Sequence, residues 1–80
     1  MKAIVTVGLK AGVLDVQGKA VAIALQGLGF GGVTSARVGK VIELDLAATD
    51  AAAAEAEVKA MCEKLLANPV IESYRVEIKG

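Results

Sequence analysis

Residues 33–46, VTSARVGKVIELDL, hold a strand-like pattern over 14 positions, and that length constrains the fold more than any other feature of the chain. At about 3.3 Å per residue, an unbroken strand of this kind is roughly 45 Å long. A chain of 80 residues makes one domain, roughly 30 Å across when compact. The segment must therefore bend, reach a neighbouring chain, or fold into a hairpin about Gly39-Lys40. A two-residue turn there pairs Val38 with Val41 and mixes Thr34 and Ala36 with Glu43 and Asp45 on one face. An unbroken period of two groups Ala36, Val38, Ile42, Leu44 and Leu46, with Lys40 among them, and sets Arg37, Glu43 and Asp45 opposite. The second pattern is cleaner and favours one long bent strand. A hairpin with a bulge at Gly39 is the alternative.

Residues 2–9, KAIVTVGL, are β-branched and apolar, with Ala3, Val5 and Val7 on one face and Ile4 and Thr6 on the other. Apolarity on both faces predicts a central strand. After a turn at Lys10-Ala11-Gly12, Asp15 is a good N-cap for a helix over Val16–Leu28. Gly29 follows at the C′ position, where a left-handed conformation costs a glycine little. Val21, Leu25 and Leu28 form the predicted core stripe of this helix. Gly18 inside it costs about 1 kcal/mol relative to alanine, which makes sense if the helix backbone approaches the sheet closely there. Thr49 or Asp50 caps a second helix over Ala51–Ala67, with Ala54, Val58, Met61, Cys62 and Leu65 on its buried stripe. Glu55–Lys59 and Lys59–Glu63 are i,i+4 pairs on its wet face. Asn68-Pro69 ends it, and residues 70–78, VIESYRVEI, alternate as a last strand with one wet face.

The order β-α-β(β)-α-β predicts an α+β ferredoxin-like two-layer sandwich, with two helices on one face of an antiparallel sheet.

The residue inventory excludes several functions. There is no histidine and one cysteine, Cys62, so the usual general base, an internal disulfide and Cys/His zinc clusters are not available. Cys62 lies on a helical core stripe and reads as a buried small hydrophobe. The glycines of GLGFGG, residues 27–32, follow a helix, whereas a dinucleotide fingerprint follows a strand and opens a helix. They read as cap and loop. The formal net charge is zero and there are two aromatics, Phe30 and Tyr74, against the basic face and stacking rings of a nucleic-acid binder. No apolar run approaches the ~18 residues of a membrane span. No signal-peptide pattern opens the chain, and cytoplasm is the expected compartment. No catalytic, cofactor-binding or metal-ligating residue is predicted.

What the chain does offer is surface. Between Val16 and Leu28 the only charged residue is Lys19. A second apolar stripe of Val16, Ala20, Ile23 and Gly27 lies off the core stripe, and a domain this small cannot bury both. Val16, Ala20 and Ile23 are therefore candidate interface residues. Arg37, Gly39 and Lys40 form a small cationic cluster that reads either as an exposed charge pair or as a docking site for an acidic surface.

The segments GVLDVQGKAVAIALQGLGF, RVGKVIEL and CEKLLANPVIESYRVEI, in that order and across nearly the whole chain, resemble the PurS family. These are the small subunits of multi-subunit phosphoribosylformylglycinamidine synthase. The family usually carries proline where this chain has Val16, which suits the first turn of a helix. The resemblance implies a single PurS-like domain over residues 1–80. It implies a non-catalytic bridging subunit in an ATP- and glutamine-dependent carbon–nitrogen ligase complex of purine biosynthesis. Formylglycinamide ribonucleotide becomes formylglycinamidine ribonucleotide there. The implied partners are the chain itself, as a dimer or higher oligomer, a glutaminase subunit and a large synthetase subunit, between which it helps ammonia pass. ATP and glutamine belong to the complex, and no cofactor is expected on this chain. The same strand–helix order would also serve an ACT-like regulatory domain that binds a small molecule between subunits, which is the alternative function.

Overall fold

A computed structural model describes residues 1–47 and 49–80. Among the described residues the strands are β1 (Lys2–Leu9), β2 (Lys40–Asp45) and β3 (Glu72–Lys79), and the α-helices are α1 (Val16–Gly27) and α2 (Ala51–Met61). The sheet order is β2-β1-β3, antiparallel throughout. The fold is the expected α+β, ferredoxin-like arrangement of two helices and an antiparallel sheet.

β1 takes the centre, as its two-sided apolarity predicts. Val5 faces Ile42 on one side and Val76 on the other. Ala3, Val5 and Val7 are buried, and beneath them lie Val58 and Cys62 from the α2 side and Ala67 beyond it. The inward residues of the flanking strands, Ile42, Leu44, Val76 and Ile78, complete this cluster while staying half-buried. Ser73, Arg75 and Glu77 face water, as the alternation of the last strand requires.

The period of two also holds through 36–46 except at Lys40, which shares the inward parity but is exposed. Ala36, Val38, Ile42, Leu44 and Leu46 are half-buried, and Arg37, Val41, Glu43 and Asp45 are exposed. The ladder itself is shorter than the pattern. It begins at Lys40, and residues 33–39 run extended without joining the sheet. The chain makes no hairpin about Gly39: β2 pairs with β1, Lys40 opposite Val7. Gly39 sits where the segment meets the sheet, and a Cβ there would lie 2.5 Å from the Val7 carbonyl oxygen. Close backbone approach, not a positive φ, is what requires a glycine at this position.

Asp50, not Thr49, caps α2, with its carboxylate accepting from the N–H of Ala52 at 3.1 Å. The helix then widens into a π turn over Cys62–Leu66, closed by the N–H of Ala67 donating to the Cys62 carbonyl at 3.0 Å. This corrects one expected core residue. Ala54, Val58 and Cys62 follow the stripe, but Leu65 is 83% exposed, and Leu66 and Ala67 turn inward instead. A five-residue hydrogen-bonded loop advances the buried face by one position. The same turn aims Glu63 at Tyr74, whose phenol donates to Glu63 Oε1 at 2.8 Å. Among the described residues Lys59 pairs with Glu55, at 3.3 Å, and not with Glu63.

Candidate functional site

α1 is placed by one side chain. Asp15 Oδ1 accepts from the N–H of Gly18 at 2.7 Å and caps the helix, as predicted, while Oδ2 accepts from the N–H of Val38 at 2.8 Å. One buried carboxylate therefore ties the helix start to the extended 33–39 segment. The N–H of Val38 first, and that of Gly18 second, hold this carboxyl below the usual carboxylate range; burial opposes them and Arg37 adds to them. At the far end of the helix, Gln26 Nε2 donates to the Val33 carbonyl at 2.7 Å. Gly29 closes it with φ of 101°. Helix and segment thus run antiparallel, stitched at both ends.

The contact between them is tight. Gly18 and Ala22 are buried and Leu25 is half-buried. A Cβ on Gly18 would collide with the Ala36 carbonyl oxygen and the Asp15 carboxylate. The expected close approach at Gly18 is real, but it is made to the 33–39 segment and not to the sheet. The predicted core stripe of α1 is corrected accordingly. Val21 and Leu28 are exposed, because a backbone this close admits only small side chains on the contact face. No α1 residue belongs to the core cluster.

The second stripe is exposed. Val16 is 69% and Ile23 59% accessible, and Ala20 lies between them. Leu14, just before α1, and Leu28 and Phe30, just after it, are exposed as well. The sequence reading misses these last three as surface residues; the signal available was the small-residue spacing of Gly18 and Ala22, which marks the covered face.

Arg37 is exposed, yet its guanidinium is engaged. Nη2 donates to the carbonyls of Leu9 and Lys10, both at 3.1 Å, and Nη1 to that of Val13 at 3.4 Å. It fastens the β1–α1 loop. Arg37 and Ile23 border a groove of about 640 Å³ beside α1. Val16, Gly39 and Lys40 border a second recess of about 390 Å³ at the end of β1. Ala20 lines neither.

The remaining perturbed groups are held by the fold. Burial first, and the Glu63 carboxylate second, push the Cys62 thiol up. The hydrogen bond to Glu63 is the main cause raising the Tyr74 phenol. Among the described residues, no three His, Cys, Asp or Glu side chains come together as a metal site. No described helix is long and apolar enough to cross a membrane.

Comparison with known proteins matches residues 2–80 to the PurS family model, described as phosphoribosylformylglycinamidine (FGAM) synthase. The Synechocystis phosphoribosylformylglycinamidine synthase subunit PurS is 51% identical over 72 residues, spanning 90% of this chain and 72% of that protein. The structure of Methanocaldococcus jannaschii PurS is described as one of the subunits of formylglycinamide ribonucleotide amidotransferase in the purine biosynthetic pathway. It superposes with a TM-score of 0.89 at 38% identity, covering 98% of this chain and 94% of that one. A chain of the structure of PurLQS from Thermotoga maritima gives 0.86 at 34% identity, covering 95% and 93%.

Proposed function

The chain belongs to the PurS family of phosphoribosylformylglycinamidine synthase subunits, in purine biosynthesis, and on that premise we propose that it is the bridging subunit of the complex. In this reading it has no active site of its own. It self-associates, holds a glutaminase subunit beside a large synthetase subunit, and so helps ammonia pass from one to the other in the cytoplasm. It carries no cofactor; ATP and glutamine are consumed by its partners.

One observation carries the reading. α1 stands outside the core with Val16 and Ile23 exposed, so a helix with a single charged residue is left for other chains to cover. The chemistry of the perturbed groups agrees. The Asp15 carboxylate is saturated by N–H donors, the Cys62 thiol is buried with its pKa raised, and the Tyr74 phenol is tied to Glu63. None is poised as a nucleophile beside a base. The co-occurrence of a similar chain in the Thermotoga maritima PurLQS structure supports the same assembly.

Reconstitution tests it. The synthetase is assayed with free ammonia, and then with glutaminase and glutamine, each with and without this chain. The chain is expected to leave the ammonia-driven rate nearly unchanged and to be required for the glutamine-driven rate. Full glutamine-driven activity in its absence would overturn the proposal, as would turnover by this chain alone.

A further inference from the structure

From the shape and charge of the groove beside α1, we infer that it seats an acidic, partly apolar segment of one of the two larger subunits, with Lys19 as the docking cation. This deepens the bridging reading and rests on it: it names a surface and the chemistry of the partner that the surface fits.

The groove has two walls. Lys19, Ile23 and Gln26 stand on the helix wall, with Ala22 beside them. Steps of four and three positions keep these residues on one side of a helix with 3.6 residues per turn. The facing wall is the extended return, residues 34–37, and the loop before α1 adds residues 11–14. Ala22 is buried and Ala36 half-buried, whereas Lys19, Ile23, Gln26, Thr34 and Ser35 are exposed. A volume of about 640 Å³ would hold a small molecule, but such ligands bury roughly 70–90% of their surface. A groove with its rim this open suits a chain segment lying along the helix.

Charge identifies the segment. The ionisable side chains on the groove are Asp15, Lys19 and Arg37. Asp15 is buried, with both oxygens occupied by the N–H groups of Gly18 and Val38. Arg37 is committed to the carbonyls of Leu9, Lys10 and Val13, which are neutral and leave its charge in place. Among the described residues, ion pairs form at Lys59 and Lys79 and none at Lys19. The lining is therefore net positive. Its uncommitted charge is a lysine one turn from Ile23, which is 59% exposed. A carboxylate for Lys19 and an apolar side chain for Ile23 are what this pair recognises.

The opposite side of α1 stays free. Val21 and Leu28 are exposed and, seven positions apart, share a face. Val21 stands two positions from both Lys19 and Ile23, a turn of roughly 200° about the helix axis. A larger subunit in the groove and another chain on the Val21 face do not compete, which is what a bridging subunit requires.

The experiment assembles the chain with the two larger subunits and treats the complex with a carbodiimide, which joins a lysine amine to a carboxylate in contact with it. The expected product, located by mass spectrometry, links Lys19 to an Asp or Glu of a larger subunit. Lys19→Glu is expected to keep the far-ultraviolet spectrum and the oligomer seen by light scattering. It is expected to raise the dissociation constant for that subunit at least tenfold at low salt, with the gap shrinking at high salt. Lys19→Arg should keep the binding and lose the link, because a guanidinium does not react. Equal binding by Lys19→Glu and the unsubstituted chain overturns the inference while the bridging reading stands. So does a Lys19 link found only to a second copy of this chain, or an oligomer dissolved by Lys19→Glu. No binding of the unsubstituted chain to either subunit overturns the inference and the bridging reading together.

Discussion

Asp15 and Val38 lie 23 positions apart and are joined at 2.8 Å by the Val38 N–H donating to Asp15 Oδ2, while the other oxygen of the same carboxylate caps α1. A local helix signal and a long-range clamp are thus one residue. It decides that the extended 33–39 segment returns along the helix that precedes it.

The clamp predicts a pH dependence. The folded Asp15 pKa is lowered, so its contribution is present above the ordinary carboxylate range near ~4 and is lost as pH falls through the folded value. Asp15→Asn keeps an acceptor for Gly18 but removes the charge. Thermal melts from pH 2 to 7 should show the wild type ahead at neutral pH, with the gap closing on acidification. A gap that stays constant with pH would refute the linkage.

Two glycines of α1 should respond to alanine with opposite signs. Gly18→Ala drives a methyl into the Ala36 carbonyl and the Asp15 carboxylate; the clash should outweigh the helix-propensity gain of about 1 kcal/mol and destabilise by roughly 1–3 kcal/mol. Gly27→Ala meets open space and should be neutral or stabilise by up to about 1 kcal/mol. Denaturant titration reads both, and equal effects would mean that the helix–segment contact is looser than described.

Adjacent leucines should differ because of the π turn. Leu65 is exposed, and Leu65→Ala is expected to change stability by less than about 0.5 kcal/mol. Leu66 packs against the core, and Leu66→Ala should cost about 2 kcal/mol. A regular α-helix through Cys62–Leu66 would bury Leu65 and reverse the order.

Arg37 and Lys40, alike in charge, should behave differently. Arg37→Ala releases three carbonyls of the β1–α1 connection and should lower stability by about 1 kcal/mol, roughly 4–8 °C in Tm. Arg37→Lys should not restore it, since a lysine lacks the planar fork. Lys40→Ala should leave Tm unchanged and weaken recruitment of the larger subunits mainly at low salt. Rescue of Tm by Arg37→Lys would mean that charge alone matters at position 37.

Much of the fold was legible because it rests on short-range pattern. The central place of β1 follows from apolar residues on both its faces, and the one-sided wetting of β3 from its strict alternation. The cap at Asp15 and the left-handed Gly29 need only a few neighbouring residues to be read. The candidate surface was legible in part. Val16, Ala20 and Ile23 emerge as exposed because one small domain cannot bury two stripes of the same helix.

What the sequence determined by itself was therefore the order of helices and strands, the cap of α1, the inward faces of β1 and β3 and the family to which the chain belongs, whereas the extent of β2, the choice of Asp50 as the cap of α2 and the π turn came from the tertiary structure. Tertiary structure decided which arc of α1 is covered, that Leu65 yields to Leu66, and that Arg37 grips carbonyls of the chain's own loop. The reason is the range of the interactions. Periodicity and capping are settled within one or two turns of chain. The covered face of a helix depends on what arrives from far along the chain, and here that was the backbone of Ala36, close enough to demand glycine at Gly18.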